Sequence, residues 1–340
     1  LRTEGQQQFA RALFGYLCRF RAAYDVVHVH GLGSEVFAAI AAKWVTGRPV
    51  VVKPSSAGPG SKLALYARIT RACPLLLPLL WRRVDMWVSI SEQTRADLLR
   101  LGARPERIAD IPNGVDTGHF RPLPATERSE LRASLGLGPE EVILCIAARL
   151  LPVKRVELLI RAFQDLAADL PQARLWIIGG GQQRRALESL AREAFDDRIR
   201  FWGNQPAGRV RRLFQAADVF AMFSRWEGLS NALLEAMACG LPAVVGNVSG
   251  MADVVQHGRS GLLVDAETPG AIREALSALV RDAAARQAMG QAARERVQRD
   301  FSLERTVQKL RCVYRHCLSG ASARIAFLPD DAPVVPAPRA

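Results

Sequence analysis

Short apolar runs alternate with segments of helical periodicity along most of the chain. In the first half, runs rich in β-branched residues predict strands near 25–30, 49–53, 86–91 and 107–111. In the second half, similar runs predict strands near 141–148, 173–179, 198–202, 217–223, 241–246 and 261–264. Since helical segments lie between successive strands, the pattern predicts an α/β protein built on doubly wound parallel sheets.

The length and apolar content of the chain predict two domains. Its 340 residues are 49% hydrophobic, which is enough to bury two cores. The proline-bearing segment 121–126 is a natural link, so we assign residues 1–122 to a first domain and residues 123–300 to a second. A final helix is expected within 301–319, and the proline-rich composition of 320–340 predicts a disordered tail.

The chain begins with an amphipathic helical pattern, from Gln6 to Arg19, that no predicted strand precedes. A doubly wound domain normally begins with a strand, and one βαβ unit takes about 30 residues. We therefore expect the first domain to be incomplete at its start, by on the order of 30 to 60 residues.

The most informative segment, Glu227-Gly-Leu-Ser-Asn-Ala-Leu-Leu-Glu235, places two carboxylates around the start of a helix. Apolar residues at 229, 233, 234 and 237 give that helix a buried face, and Glu227 precedes it in a loop. Free backbone N–H groups at a helix start suit a phosphate group, and carboxylates accept hydrogen bonds from sugar hydroxyls. The segment suggests a sugar-nucleotide site and glycosyl transfer, and two solvated glutamates are the simpler alternative.

Cations and glycines follow two earlier strands of the second half. Arg149 and Lys154 come after the strand 141–148, where ligands of an open parallel sheet bind. Such cations offset the charge that develops on a diphosphate leaving group, so no metal ion is required. The triple glycine at 179–181 permits close backbone approach to a ligand. Solvated cations and an ordinary glycine turn are the structural alternatives.

A histidine ends the strand 25–30 of the first half. His30 lies beside Gly31 at the carboxyl end of the strand, where a sheet ligand is expected, and His28 faces the same side. Histidines at strand ends are more often structural than catalytic, so the pattern alone leaves both interpretations open.

Taken together, these residues resemble the retaining glycosyltransferases of family 4, which have the GT-B fold. The resemblance runs from about Tyr24 to about Leu318. It implies two Rossmann-like domains facing a cleft, a last helix that crosses back to the first domain, and retention of configuration with neither a metal ion nor another cofactor. Its motifs are Arg149 with Lys154, the triple glycine, Ile111-Pro-Asn-Gly-Val-Asp116, and Glu227 to Glu235 with the following Ala-Met-Ala-Cys-Gly240-Leu-Pro242.

The resemblance also implies roles for individual residues. Glu235 would accept the ribose hydroxyls, and Glu227 would contact the donor sugar. Arg149 and Lys154 would hold the diphosphate, and His30 matches a histidine near the donor sugar. The remaining donor contacts would come from Gly179, Gly180, Gly181 and the backbone amides of Leu229, Ser230 and Asn231.

Two loops depart from the family pattern. Lys53-Pro-Ser-Ser-Ala-Gly-Pro-Gly60 replaces a turn that usually contains histidine, and Asp253 stands where a longer glutamate usually faces the donor. We therefore expect the preference for donor or acceptor to differ at these loops.

The charge of the chain indicates an anionic partner. The formal net charge is +13, and residues 1–116 hold 16 Lys and Arg against 9 Asp and Glu. Because no helix-turn-helix, zinc-finger or aromatic-basic pattern supports nucleic acid, we prefer an anionic membrane surface or a phosphate-bearing acceptor. The apolar run within 68–83 either contacts a membrane or packs on the sheet, and it is too short to span a bilayer.

The six cysteines are scattered and have neither metal-site nor redox-motif spacing. Free thiols favour a reducing compartment, so we expect a cytoplasmic protein, with peripheral contact at the inner face of the membrane. The cysteines lie at 18, 73, 145, 239, 312 and 317.

The sequence thus predicts a retaining glycosyltransferase that moves a hexose from a nucleoside-diphosphate sugar, with UDP the expected nucleotide. The acceptor would be a hydroxyl of a glycan or a lipid-linked molecule, in cell-surface polysaccharide or glycolipid synthesis. Two alternatives remain. A sugar-nucleotide epimerase of the same fold would convert the donor without an acceptor, and a non-catalytic sugar-nucleotide-binding remnant would bind without turnover.

Overall fold

The computed structural model describes residues 2–72, 77–192, 197–268 and 270–319, so the expected tail 320–340 lies outside the described residues. Over the described ranges the strands form two parallel sheets. The four-stranded sheet has the order β1-β2-β3-β4, formed by Val27–His30, Val50–Lys53, Met86–Ser89 and Ile108–Asp110. The six-stranded sheet has the order β10-β9-β8-β5-β6-β7, where β5 to β10 are Val142–Ala147, Ala173–Ile178, Ile199–Gly203, Val219–Met222, Ala243–Gly246 and Gly261–Val264.

Helices connect these strands, as the βαβ pattern predicts. Around the first sheet lie α1 to α5: Arg2–Arg19, Ser34–Thr46, Lys62–Ala72, Leu77–Trp81 and Glu92–Leu101. Around the second lie α6 to α12: Ala125–Ser134, Val156–Ala167, Arg184–Arg192, Ala207–Ala216, Asn231–Ala238, Ala271–Arg281 and Ala283–Asp300. The described chain ends with α13, Leu303–Ser319. The predicted α/β fold is confirmed, and no predicted strand end differs from the observed one by more than two residues.

Several helix ends follow directly from the local sequence. Ser91 caps α5 by accepting a hydrogen bond from the backbone N–H of Thr94, and Ser230 caps α10 in the same way through Leu233. Gly47 and Gly102 end α2 and α5 in the left-handed conformation. These caps fix where the loops at the sheet edges begin and end.

Apolar packing on both sheets explains the runs that predicted the strands. In the second domain, Ile143 and Leu144 of β5 are fully buried together with Phe163 of α7. In the first domain, Trp81 and Trp87 pack in one aromatic cluster and are almost completely buried. Trp81 belongs to the apolar run within 68–83, and it packs on the first sheet. Residues 73–76 of the same run lie outside the described residues.

The last helix, α13, packs against the first sheet although it follows the second domain. Its Val313 is fully buried against Val51, Met86 and Ile111. The segment that leads into α13 lies beside the segment that leaves the first sheet. The N–H of Val115 in the latter donates to the carbonyl of Phe301 in the former at 2.9 Å. The second domain is therefore joined to the first by two adjacent segments.

Tight contacts between loops hold the carboxyl edges of the two sheets face to face. Trp226, after β8, packs on the loop after β2, where a Cβ added at Gly58 would lie 2.9 Å from the Trp226 Cβ and one at Gly60 would overlap its ring. The Asp253 carboxylate accepts a hydrogen bond from the backbone N–H of Glu92, at the start of α5, at 3.1 Å. Asn113 donates to Asn231 at 2.8 Å. These contacts define a narrow cleft between the domains.

Close backbone packing at the edge of the second sheet explains the glycines in the run 179–181. Gly179 has a φ of +126°, and a Cβ added there would overlap the carbonyl oxygen of Ala148. A Cβ at Gly181 would overlap the carbonyl of Leu150 in the same way. These two glycines let the loop after β6 lie directly against the loop after β5.

We expect Gly179→Ala to lower the free energy of unfolding by about 2 kcal/mol or more, because it adds a clash to a strained backbone. Gly208→Ala is the matched control, since Gly208 lies in α9 and an added Cβ there meets nothing within 4 Å. The control should change stability by about 1 kcal/mol at most, in the stabilising direction. Urea denaturation measures both. Equal stability of the two variants would contradict this account of the glycine run.

Candidate active site

The cleft between the two sheets contains a cavity of about 470 Å³. Its walls come from the last residues of β1, β2, β5 and β8 and from loops that follow β2, β3, β4, β5 and β8, all at carboxyl ends of parallel strands. In the second sheet β5 and β8 are neighbours at the point where the strand order reverses, which is where ligands of open α/β sheets bind. Seven residues predicted for the site line this cavity: His30, Arg149, Lys154, Glu227, Leu229, Ser230 and Asn231.

An ion pair between Lys154 and Glu227 lies at the centre of the second-domain wall. Lys154 is in a short helical turn, Pro152–Lys154, after β5, and Glu227 is in the loop after β8. The two loops are joined by a hydrogen bond from the N–H of Arg225 to the carbonyl of Val153, at 2.8 Å. Both paired side chains are only 17% exposed, so the cleft holds two largely desolvated charges that satisfy each other.

Arg149 lies beside this pair and is exposed to the cavity. Within the described part of the chain its guanidinium has no hydrogen bond or ion pair, in contrast to Lys154. An arginine fork without a protein partner is free to bind an anion such as a phosphate in a bidentate manner.

The start of α10 forms the edge of the cavity next to these cations. Leu229 and Ser230 are buried, and Asn231 is exposed as the first residue of the helix. Because backbone N–H groups at a helix start have no partner within the helix, this end of α10 can donate to an anion.

Glu235 lies one turn farther along α10 and is not part of the cavity wall. Its carboxylate has no hydrogen bond or ion pair to the described residues. Burial raises the pKa of Glu235 to about 7.

The triple glycine, residues 179–181, also lies outside the cavity wall. The packing of Gly179 and Gly181 on the loop after β5 explains why glycine stands at these two positions. Contact of Glu235 and these glycines with a donor stays a prediction.

His30 faces the cavity from the first domain, and His28 lies behind it. Their rings are 4.3 Å apart, and the His28 Nδ1 is 2.6 Å from the hydroxyl of Tyr314 in α13. Burial and the neighbouring charges of His30 and Lys53 lower the pKa of His28 to about 4, and burial followed by the Lys53 charge lowers the pKa of His30. Both imidazoles are therefore neutral at pH 7.

Nine residues of the cavity wall were not among the predicted site residues: Lys53, Pro54, Ser55, Ile90, Asn113, Ala147, Ala148, Met222 and Ala232. Lys53 ends β2 and is the register partner of His30 in the neighbouring strand β1. The rule that singled out His30, a polar residue at the carboxyl end of a parallel strand, applies equally to Lys53. The sequence signal was therefore present for Lys53. Asn113 does not end a strand, and it lies in the segment Ile111-Pro-Asn-Gly-Val-Asp116 that belongs to the family resemblance.

Two features are absent from the described residues. They contain no group of three or more His, Cys, Asp or Glu side chains placed to hold a metal ion. Among their helices, none is both long enough and apolar enough to cross a bilayer.

Two parallel-sheet α/β domains around such a cleft form the GT-B fold of glycosyltransferases. The chain belongs to the family Glycosyl transferases group 1, which matches residues 127–296. Residues 2–114 match a second family, Glycosyl transferase 4-like domain. The predicted family is confirmed, and the chain spans about half to three fifths of the length of the first curated relatives it matches.

Two curated relatives and one solved structure illustrate the similarity. A GDP-mannose-dependent alpha-(1-6)-phosphatidylinositol monomannoside mannosyltransferase of Mycobacterium tuberculosis is 33% identical over 66% of this chain and 60% of its own length. A D-inositol 3-phosphate glycosyltransferase of Actinosynnema mirum is 31% identical over 88% of this chain and 77% of its own length. The structure of Anabaena Alr3699/HepE in complex with UDP and glucose has a TM-score of 0.72 at 21% identity, covering 91% of this chain and 81% of that chain. The last similarity shows the fold alone.

The raised pKa of Glu235 predicts a pH dependence of stability. Between about pH 4.5 and pH 7 the folded state keeps a proton that the unfolded state has lost, so the free energy of unfolding falls as the pH rises through this window. We expect Glu235→Gln to remove this contribution, so the stability of the wild type should decline relative to the variant from pH 5 to pH 8. Urea denaturation across this range measures the difference. If the free energy of unfolding changed with pH equally in the wild type and in Glu235→Gln, the raised pKa of Glu235 would be contradicted.

Proposed function

We propose that this protein transfers a hexose from a nucleoside-diphosphate sugar to a hydroxyl of a glycan or lipid-linked acceptor, with retention of configuration and without a metal ion. The observation that carries the proposal is the Lys154–Glu227 ion pair beside the unpaired Arg149, at the switch point of the second sheet. This arrangement offers cations to a diphosphate and a carboxylate to a sugar.

Donor binding would exchange the partners of the ion pair. The diphosphate attracts Lys154 and Arg149, and the freed Glu227 accepts hydrogen bonds from sugar hydroxyls. The start of α10 donates backbone N–H groups to the same diphosphate, and Glu235 accepts the ribose hydroxyls as a carboxylate. Lys154 exchanges a carboxylate for a phosphate, and Glu227 exchanges an ammonium donor for hydroxyl donors, so both side chains keep hydrogen-bond partners.

The reaction follows from this placement. The bond between the sugar C1 and the β-phosphate oxygen breaks, and the acceptor hydroxyl attacks C1 from the same face while its proton passes to the leaving phosphate. Lys154 and Arg149 stabilise the negative charge that develops on that phosphate. Neutral His30 contacts the donor sugar from the opposite wall and can accept a hydrogen bond from a hydroxyl.

The nucleotide and the acceptor are open to direct test. We retain UDP as the expected nucleotide, although the name of the mycobacterial relative specifies GDP-mannose. The names of both curated relatives place an inositol in the acceptor, which supports a polyol hydroxyl as the attacking group.

Cytoplasmic location and peripheral membrane contact remain predictions. Exposed aromatic side chains of α1 and α2 support the membrane contact, since Tyr16 is 59% exposed and Trp44 is 69% exposed. Arginines accompany them, with Arg19 over the Phe20 ring and Arg83 over the Trp44 ring. Exposed aromatic side chains with arginines over their rings suit the interface of an anionic bilayer.

Calorimetric titration with UDP, GDP and ADP tests the donor site. We expect one nucleotide to bind with micromolar affinity, and the variant Arg149→Ala/Glu235→Ala to lose this binding by at least about a hundredfold. Arg104→Ala is a control, because Arg104 is an exposed arginine outside the cavity. Binding of no nucleotide would refute the proposed function. Binding without transfer to any acceptor would favour the non-catalytic remnant, and donor conversion without an acceptor would favour the epimerase.

Removal of the Glu227 charge should separate nucleotide binding from turnover. Glu227→Gln frees Lys154 from its partner, so the affinity for the nucleoside diphosphate should rise or stay equal while kcat falls by about a hundredfold. Lys154→Met should instead weaken nucleotide binding by at least about tenfold. Titration with the nucleotide and single-turnover transfer measure the two effects. A parallel loss of nucleotide affinity in Glu227→Gln would show that Glu227 supports the diphosphate site rather than the sugar.

A further inference from the structure

A second cavity, of about 510 Å³, lies at the other edge of the second sheet. Asp218 and Pro242 of its wall directly precede β8 and β9, so this cavity is at the amino ends of these strands. The active-site cavity contains Met222, the residue that ends β8. The two cavities therefore lie at opposite ends of one strand, and the proposed function gives the second one no role.

One face of α12 runs along this second cavity, which we call the α12 groove. The α12 residues in its wall follow helical spacing: Ala283, Arg286, Gln287, Gly290, Gln291 and Arg294. Arg286 and Arg294 are eight residues apart, so their Cα atoms are separated by about 12 Å along the helix axis. A Cβ added at Gly290, midway between them, would overlap the carbonyl oxygen of Gly240. The helix thus packs directly on the loop before β9 and presents two arginines about two turns apart.

Neither arginine has a carboxylate partner within the described ranges of the chain. Arg286 donates only through Nη1, to the carbonyls of Leu279 and Val280, so its Nε and Nη2 make no hydrogen bond there. Arg294 uses both Nη atoms on backbone carbonyls, and its Nε has no partner. Burial lowers the pKa of Arg294, and no carboxylate opposes this effect. Both half-buried guanidinium groups therefore keep unused donors.

The charges of the groove favour an anionic ligand. Its wall contains three arginines and one carboxylate, Asp218, which is already paired with Arg128 at 2.7 Å and with Arg132 at 3.0 Å. The carbonyls bound by Arg286 and Arg294 are at the ends of α11 and α10, and a helix end offsets only about half a unit of charge. Positive charge is left over at both arginines, and a bound anion would compensate it.

We propose that the α12 groove is a second ligand site, which binds a small molecule with an anionic group at each end. One group binds the Nε–Nη2 edge of Arg286, which fits a phosphate or a carboxylate in a bidentate manner, and the other binds Arg294. The exposed amide of Gln287 is available to polar groups in the middle of the ligand. The volume of the groove is in the range of small-molecule sites.

The groove is connected to the active site by α10 and by the segment that joins the domains. Arg294 donates to the carbonyl of Ala238 at the end of α10, and Asn231, the first residue of this helix, lies in the active-site wall. Arg294 also donates to the carbonyl of Phe120, which precedes the second domain. A ligand on Arg294 therefore acts on both connections and regulates nucleotide binding. This regulatory effect rests on the proposed function, whereas binding to the groove does not.

Titration with linear probes tests the groove. Hexane-1,6-diol bisphosphate and hexanedioate carry an anionic group at each end of the same kind of chain, and hexyl phosphate and hexanoate carry one at a single end. We expect a probe with two anionic ends to bind at least about tenfold more tightly than its single-ended counterpart. Comparison of the phosphate and carboxylate probes identifies the anionic group. Calorimetry on the nucleotide-saturated protein measures these affinities, because the nucleotide then occupies the active site.

A carboxylate placed in the groove should compete with the ligand. Gln287→Glu should weaken binding of the double-ended probe by about fivefold or more, and Arg286→Gln by about tenfold. Gln287 is exposed and makes no side-chain hydrogen bond to the described residues, so its substitution leaves the fold intact even if Arg286→Gln does not fold. Gln298→Glu is the matched control, because it makes the same change on an exposed part of α12 outside the groove. It should bind the probe like the wild type.

The outcomes separate this inference from the proposed function. Equal affinity for double-ended and single-ended probes, or equal losses in Gln287→Glu and Gln298→Glu, would overturn the groove site. Loss of probe binding in Arg149→Ala/Glu235→Ala would place the probe in the active site and would also overturn it. The bound probe should change nucleotide affinity by about fivefold or more, and an unchanged affinity would overturn the regulatory effect. Failure of the wild type to bind any nucleotide would refute the proposed function, while titration of the free protein still tests the groove.

Discussion

The cleft depends on the close approach of two loops, one from each domain. Trp226 can pack on the loop after β2 only because Gly58 and Gly60 have no side chains at the contact. The same approach places Glu227, the next residue, opposite His30 and Lys53. Gly228 follows, where an added Cβ would lie 3.1 Å from Ile90 of the first domain. The distance between the walls, and with it the size of any substrate, is thus set by glycine and tryptophan rather than by the charged residues.

Electrostatics explains why the ionisable residues tolerate this confinement. Lys154 and Glu227 neutralise each other, His28 and His30 stay neutral because burial and nearby positive charge disfavour the imidazolium, and burial disfavours the ionised form of Glu235. Arg149 differs from these groups, because it has no partner among the described residues and is exposed to the cavity. The cleft therefore holds most of its buried charges as a pair or in neutral forms and leaves an accessible cation for an anion.

The periodicity of the sequence predicted the strands well because buried parallel strands are short, apolar and bounded by turns. The strand-end rule also found Arg149, Lys154 and His30, since chemistry at the carboxyl edge of a parallel sheet is a local property of the sequence. It missed Asn113, which reaches Asn231 from a segment more than a hundred positions away, and it could not foresee Trp226 against Gly58. The triple glycine was interpreted as a ligand contact. Close backbone packing between Gly179 and Ala148 is enough to explain why glycine is required there. Contacts between domains leave no periodic signal in either partner.

The paired segments at Val115 and Phe301 have a consequence for the whole molecule. The chain enters the second domain and leaves it at one point, where Val115 and Ser302 form a parallel bridge and Leu303 donates to the carbonyl of Val115 at 2.9 Å. Topologically, the second domain is an insertion whose two ends are neighbours. Any rotation that widens the cleft must therefore twist this narrow pair of segments. An insertion with adjacent ends can also be exchanged as one unit, so that a different second domain could be joined to the same first domain without rerouting the chain.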